Sequence, residues 1–311
     1  MTPYTELNKN NIKEITAGYN IGAVSKFEVL SGGSANSNYR IDTRDNTYVL
    51  TVCEYKSPEE TAELARLLAH LEANGFSTTR IVPTNQGKHL STYNEKSVLL
   101  KHFLHGEMIQ SLDGGLLFKT GASMARLHAI TIPDSLRNQF SYGIETLDLP
   151  DEMATHPFSI WLAWVKIYIE QNISPDLRKG LIHGDIFFNN IVISPDREPV
   201  IMDFEEAGDY YRIFDLGMAI AGLCWEHGNV NHAKIKPLVD GYQSIDPLNE
   251  IETNTLKSFI VYAAAVTACW RFRQFNLTTP NEKLKDRYLE MQQLADQVWG
   301  IPDCEFVAHL K

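Results

Sequence analysis

Along about the first hundred residues, apolar and polar positions change over in short runs typical of strands. Residues 25–30, 39–43 and 48–52 read as three strands, the last being the β-branched run Tyr48-Val49-Leu50-Thr51-Val52. A turn of small and polar residues fills 31–38, and Arg44-Asp45-Asn46 supplies the next turn. Ser57-Pro58-Glu59-Glu60 is a helix start, with Ser57 as cap and the glutamates at the positive end of the dipole. Leu64, Leu67, Leu68 and Leu71 continue that helix on one face, and Gly75 ends it. Two more strands are predicted over 89–93 and 97–103. From there the spacing becomes helical, over 116–128, 158–169, 214–225, 235–242 and 251–275, with short strands at 190–193 and 199–204 between them. The change of pattern near 104–106 divides the chain into a strand-rich part, 1–103, and a helical part, 104–311. The fold class expected is α+β: a small antiparallel sheet with one main helix, then a larger helical lobe.

Charge narrows the choice of partners. The 311 residues carry 28 Lys and Arg against 39 Asp and Glu, a net charge of −11. Such a surface is poorly suited to nucleic acid or anionic membrane, which demand a basic patch. Cys53, Cys224, Cys269 and Cys304 are scattered without metal-ligand spacing and read as free thiols of a reducing compartment. The polar beginning of the chain shows no secretory pattern, and the most apolar stretch, 259–270, is too short to span a bilayer. A cytoplasmic protein, monomer or homodimer, is expected.

The chemistry lies in Ile182-His183-Gly184-Asp185-Ile186-Phe187-Phe188-Asn189-Asn190-Ile191-Val192-Ile193. Asp185 and Asn190, five positions apart, bracket a tight loop that runs into an apolar strand. A turn then leads to Val200-Ile201-Met202-Asp203-Phe204, which puts Asp203 at the end of a second strand, 18 positions beyond Asp185. Pairing of the two strands as a hairpin would bring Asn190 and Asp203 to the same end. Phosphoryl transfer needs such a trio: a base for the acceptor hydroxyl, and oxygen ligands for the Mg2+ that bridges nucleotide phosphates.

His183-Gly184-Asp185 with Asn190, followed by Asp203-Phe204, resembles the pattern of the aminoglycoside phosphotransferase and choline kinase superfamily, small-molecule kinases with a two-lobed protein-kinase-like fold. Leu127-His128 and Phe214-Asp215-Leu216-Gly217 are similar to further landmarks of that family. The resemblance implies Asp185 as catalytic base, Asn190 and Asp203 as Mg2+ ligands, and ATP as phosphoryl donor. Within the superfamily, Asn36-Ser37-Asn38-Tyr39, the run 48–54, Asp203-Phe204-Glu205-Glu206-Ala207-Gly208-Asp209, Gly241-Tyr242-Gln243 and Asp246-Pro247-Leu248 resemble the type II homoserine kinases. Most of the superfamily has Lys where this chain has Thr51, whereas that group commonly has Thr, so the usual Lys–Glu pair is not expected. His183 is expected to organise the loop, Asp215 to brace it from a buried position, and His128 to be a buried, hydrogen-bonded histidine.

For the nucleotide, the turn with Gly32, Gly33 and Ser34 is expected over the phosphates, where glycines allow close backbone approach. Thr51 lies at the phosphate-contacting position, Arg40 is the candidate replacement cation, and backbone groups from His102 to Leu104 would read the adenine edge. An acceptor with a carboxylate and an ammonium needs a guanidinium for one and carboxylates for the other. Arg273, matched to the second of two arginines usual in the homoserine kinase group, is the candidate for the first task. Ala268 falls where the other arginine would stand. Asp209 and Glu226 are the candidates for the amine. Trp225, Trp270, Phe272 and Phe275 are either helix core or an aromatic wrap for a quaternary ammonium.

The sequence-based reading is an ATP- and Mg2+-dependent kinase that transfers phosphate directly to the side-chain hydroxyl of L-homoserine. The alternatives are a kinase of choline, ethanolamine, an aminoglycoside or another amino alcohol, and, outside enzymes, a nucleotide-binding regulatory module. With net charge −11 and no lysine at position 51, Mg2+ is the principal counter-charge expected for the polyanionic nucleotide.

Overall fold

The polar start of the chain folds before the predicted strands begin. Asn8 caps a short helix α1 (Lys9–Thr16): its side chain accepts from the N–H groups of Asn10 and Asn11, and the Asn11 side chain accepts from the N–H of Asn8. This helix joins the one main helix expected in the strand-rich part. Its apolar content is only Ile12 and Ile15 on one side, too brief a pattern to register as a helix in the sequence. The computed structural model describes residues 5–30, 36–136 and 140–310. They fall into two compact units, Met1–His105 with Pro133–Leu136, and Gly106–Ile132 with Arg137–Lys311.

In the first unit, β1 (Lys26–Val29), β2 (Asn36–Asp42), β3 (Thr47–Cys53), helix α2 (Pro58–Ala73), β4 (Ser91–Tyr93) and β5 (Lys96–His102) follow in order. The strands form one antiparallel sheet ordered β1-β2-β3-β5-β4. Along β2 every second side chain is buried, so Tyr39 and Ile41 reach the same core as Tyr48, Leu50, Val52, Val98 and Leu100, together with Ile12 and Ile15 of α1. Helix α2 begins as expected: the Ser57 hydroxyl accepts from the N–H of Glu60, the Glu60 carboxylate accepts from the N–H of Ser57, and Pro58 occupies the first turn.

The second unit contains α3 (Gly114–His128), α4 (Pro157–Glu170), β6 (Lys179–Ile182), β7 (Ile191–Ile193), β8 (Pro199–Ile201), β9 (Gly208–Tyr211), α5 (Arg212–Leu223), the small hairpin β10 (Trp225–Glu226) and β11 (Asn229–Val230), α6 (His232–Gln243), α7 (Glu250–Phe272), α8 (Tyr288–Trp299) and α9 (Asp303–Leu310). Helix α7 is the central element, buried for most of its length against α5 and α8. Its α-helical hydrogen bonding ends at Phe272 and passes into a π-helical turn, Arg273–Thr278, so the helix predicted over 251–275 changes pitch near its end. Three two-stranded ribbons, β6 with β9, β7 with β8 and β10 with β11, punctuate the helices. The β6 and β9 strands, four residues each, carry no sequence periodicity of their own and exist by pairing with each other. No described helix is long and apolar enough to cross a membrane. All four cysteines are unbridged; Cys53, Cys224 and Cys269 are buried and Cys304 is exposed.

Candidate active site

The loop His183-Gly184-Asp185 leaves β6 through a glycine with φ of +85°. A Cβ at Gly184 would lie 2.6 Å from the Glu206 carbonyl oxygen, so both conformation and space require glycine there. Asp215, in the first turn of α5 and fully buried, holds the loop by its backbone: Oδ2 accepts from the N–H of His183 at 3.0 Å and Oδ1 from the N–H of Gly184 at 2.8 Å. His128 Nε2 is 3.0 Å from the same Oδ2. Burial alone would push the Asp215 carboxyl up, but these bonds and the nearby imidazoles hold it below the usual range, so it serves as a fixed acceptor. His183 is enclosed too: its Nδ1 accepts from the N–H of Asp185 at 3.2 Å and its Nε2 donates to the Met202 carbonyl at 2.9 Å. The ring thereby ties the Asp185 loop to the strand end before Asp203, the organising part expected of it.

The two strands after the loop pair as the sequence predicts. Ile191 lies opposite Ile201, and the N–H of Met202 donates to the Asn190 carbonyl at 2.9 Å, so Asn190 and Asp203 sit at the same end of the β7–β8 hairpin. Asp203 adopts the left-handed conformation, φ 68° and ψ 65°, which Asp tolerates better than most residues. The Asn190 side chain donates through Nδ2 twice, to the Asp185 carbonyl at 2.8 Å and to Asp185 Oδ2 at 2.9 Å. Its Oδ1 therefore remains the atom able to face a cation. The Asp185 carboxyl is pushed up to about 6, first by burial; the neighbouring Asp203 and Glu206 carboxylates add to the rise, against His183 and the Asn190 bond. The Asp203 and Glu206 carboxylates act on Asp185, and with the Asn190 amide oxygen these side chains offer oxygen donors and negative charge, donor chemistry that suits Mg2+. Among the described residues no group of three His, Cys, Asp or Glu is arranged to hold a metal by itself. A Mg2+ held by one or two side chains plus nucleotide phosphates needs no such group.

Tyr142 and Phe140, which sequence reasoning did not single out, stand beside this cluster. Tyr142 is half-buried, its phenol pushed well up first by burial and then by Glu206, Asp185 and Asp203. Phe140 seats the same segment: its ring is 2.9 Å from where a Gly184 Cβ would be, and it stacks on Tyr210 at 4.6 Å. Arg271, in the last turn of α7, donates Nη1 to Glu290 Oε2 at 2.7 Å and to the Arg287 carbonyl at 3.2 Å. Burial lowers its pKa, while Glu290 and, more weakly, Asp185 support its charge. The aromatic Phe140-Ser141-Tyr142 was a signal only in composition, without periodicity to interpret.

The remaining candidates are placed as follows. Gly32, Gly33 and Ser34 lie outside the described residues. Thr51 is buried and donates its hydroxyl to Asn38 Oδ1 at 2.7 Å, a neutral cross-strand pair in place of a charged one. Arg40 is not a free cation: Nε donates to Asp42 Oδ1 at 3.0 Å and its guanidinium lies over the Phe103 ring at 5.0 Å. At the end of β5, the N–H groups of His102 and Phe103 donate to the carbonyls of Arg80 and Thr47, so these two donors are already engaged; half-buried Leu104 follows them. Glu226 is consumed by Lys234 and Ser111, both at 2.5 Å, and by Asn231 at 2.8 Å, which hold its carboxyl down to about 2. Arg273 donates to the Asp148 carbonyl, and the Cys269 thiol feels both Arg273 and Asp148, so this guanidinium is tied to the segment before α4. Asp209, by contrast, has a buried Oδ1 without a hydrogen-bond partner. Phe272 is core, packed on Phe158 at 4.9 Å, whereas Trp270 is partly exposed and pairs with Phe275.

Residues 26–248 match the model of the phosphotransferase enzyme family, which is more than half of the chain and includes the whole Asp185–Asn190–Asp203 constellation. The chain belongs to this phosphotransferase family. The phosphotransferase is 26% identical over 265 residues to a homoserine kinase of Bartonella henselae, covering 82% of this chain and 83% of that one. It is likewise 26% identical over 274 residues to a homoserine kinase of Rhizobium meliloti, covering 82% and 81%. Among solved structures it resembles an amicoumacin kinase in complex with AMP-PNP and Ca2+, with a TM-score of 0.75 at 15% identity over 96% of this chain and 97% of that one. A microcompartment-associated aminopropanol kinase gives a TM-score of 0.72 at 18% identity over 94% and 95%. The phosphotransferase therefore has the expected α+β, protein-kinase-like fold, with an antiparallel sheet in the first unit and a mostly helical second unit.

Proposed function

We propose that this phosphotransferase transfers the γ-phosphoryl group of ATP to the side-chain hydroxyl of L-homoserine. The observation that carries the phosphoryl-transfer chemistry is the contact of Asn190 Nδ2 with Asp185 Oδ2, with Asp203 at the same hairpin end. In this reading Asp185 accepts a hydrogen bond from the acceptor hydroxyl and orients it. The hydroxyl oxygen attacks the γ-phosphorus in line, the bond to the β–γ bridging oxygen breaks, ADP leaves, and the hydroxyl proton passes to Asp185 and then to solvent. Asn190 Oδ1 and Asp203 would hold Mg2+, which would supply neutralising charge to the nucleotide. Tyr142 helps to close off the cluster from water.

Homoserine is favoured as acceptor by the 26% identity to curated homoserine kinases over 82% of the chain. Arg271, with two nitrogens beyond the one engaged by Glu290, is the guanidinium for the carboxylate in place of Arg273. Asp209, with its unpaired buried oxygen, is the partner for the ammonium in place of Glu226. The co-substrate and acceptor are soluble metabolites, which fits a cytoplasmic enzyme. ADP release measured with ATP, Mg2+ and homoserine, choline, ethanolamine, hydroxylysine or an aminoglycoside tests the reading. Homoserine is expected to give the highest kcat/KM; turnover with choline or ethanolamine and none with homoserine would replace it by the amino-alcohol reading.

A further inference from the structure

Gly241-Tyr242-Gln243 and Asp246-Pro247-Leu248 stand out in the sequence and have no part in the transfer step just described. Both lie at the C-terminal end of α6 and in the turn after it, and a chain of hydrogen bonds joins them to the catalytic loop. The Tyr242 hydroxyl is 2.8 Å from His128 Nδ1, His128 Nε2 is 3.0 Å from Asp215 Oδ2, and Asp215 holds the N–H groups of His183 and Gly184. We propose that Tyr242 is a positioning residue for the catalytic loop, acting through His128 and Asp215. The proposal rests on the Asp185 loop being the transfer site.

The direction of the chain follows from its donors. A carboxylate only accepts, so Nε2 carries the proton on the Asp215 side, and in the neutral imidazole this leaves Nδ1 to accept. The Tyr242 hydroxyl is the donor that fills it. Its competing acceptor, Asp246 Oδ2, is farther away at 3.5 Å. Tyr242 thereby sets both the tautomer and the ring plane of His128, and with them the line from Nε2 to Asp215. Tyr242, His128 and Asp215 are all nearly inaccessible to solvent, so no water can take over for a missing member.

The outer end is anchored by charge. Arg178 donates to Asp246 Oδ1 at 2.6 Å and to both oxygens of Glu252, at 2.8 and 2.6 Å, while Arg212 reaches Asp246 Oδ2 at 3.2 Å. The backbone N–H of Asp246 donates to the Tyr242 carbonyl, so this cluster fixes the turn that carries the tyrosine. The inner spacing is set by two glycines. A Cβ at Gly121 of α3 would come within 2.0 Å of the Leu238 carbonyl oxygen, and one at Gly241 of α6 within 1.9 Å of the Phe118 carbonyl oxygen. Helices α3 and α6 therefore meet backbone to backbone, which brings the Tyr242 hydroxyl to bonding distance of His128.

Tyr242→Phe removes the hydroxyl and keeps the ring. With the acceptor that the substrate panel identifies, kcat is expected to fall by roughly tenfold, the size of one buried hydrogen bond, with KM for ATP and acceptor unchanged. Amide exchange, which needs no substrate, is expected to quicken about tenfold at His183 and Gly184 but not along α7. In a His128→Ala background, adding Tyr242→Phe should cost nothing more. Asp246→Asn, at the outer end where folding is least at risk, should move the same readouts in the same direction by a smaller factor. Unchanged exchange at His183 and Gly184 in folded Tyr242→Phe, uniform acceleration of all amides, or full additivity with His128→Ala would overturn the proposal. The exchange result stands apart from the acceptor's identity, so failure of the homoserine reading leaves it separately decidable.

Discussion

Asp215 accepts from two consecutive backbone N–H groups, those of His183 and Gly184, with one oxygen for each. The geometry needs an acceptor at both carboxyl oxygens. In Asp215→Asn, the amide NH2 faces either a backbone N–H or the His128 Nε2 proton. That substitution is expected to cost about 3 kcal/mol of stability, because a buried polar network loses a member and keeps the rest. Urea unfolding checks it; a loss below about 1 kcal/mol would show that water reaches the loop.

The proposed base is tested by Asp185→Asn. Positioned acid–base groups contribute about 10²- to 10⁴-fold, so turnover should drop by that factor. The amide is nearly isosteric, so nucleotide binding, measured by calorimetry with ADP and Mg2+, should persist. Turnover close to wild type would remove Asp185 from the mechanism.

Arg271 and Arg273 make opposite predictions although they are two residues apart. Arg271, supported by Glu290 and within the field of Asp185, should matter for the acceptor: Arg271→Lys is expected to raise acceptor KM by roughly tenfold or more, since a lysine cannot reproduce a bidentate fork. Arg273, bound to the Asp148 carbonyl, should tolerate Arg273→Lys with acceptor KM within about twofold. Steady-state kinetics with varied acceptor decides between them.

Acid stability has a local source in the first unit. Burial would raise the Glu54 carboxyl, but Lys96, Ser37 and Thr5 outweigh it and hold it down to about 2. A folded-state pKa below the unfolded one stabilises fully above about pH 4.5, and the contribution disappears as pH falls towards 2. Glu54→Gln should therefore flatten the decline in urea midpoint between about pH 5 and pH 3; an unchanged slope would assign the acid sensitivity elsewhere.

Much of the site was legible because it is local. Asp185 and Asn190 are separated by one tight loop, and the hairpin from 191 to 201 has a short turn, so sequence distance and spatial distance run together. The helix start at Ser57 was legible for the same reason: a capping box is complete within four residues. The acceptor side was not. Arg271 and Arg273 carry the same charge, and only the neighbours of α7, Glu290 from α8 on one side and Asp148 on the other, separate their surroundings. Glu226 failed as a free carboxylate because Lys234 and Ser111 reach it from elsewhere in the chain.

By itself the sequence determined the strands of the first sheet, helices α2 to α7, the hairpin that brings Asn190 and Asp203 to one end, and the acidic balance. These depend on periodicity, short turns and composition, which act between near neighbours. Tertiary structure decided which charges are already neutralised and which groups face the reacting loop. It paired Arg40 with Asp42, Glu226 with Lys234 and Thr51 with Asn38, and it drew Tyr142, Arg271 and Tyr242 towards Asp185 or its support. The physical reason is that a charge or hydroxyl is available only when packing has left it no closer partner, whether that partner stands two residues away, as Asp42 does for Arg40, or far along the chain, as Ser111 does for Glu226.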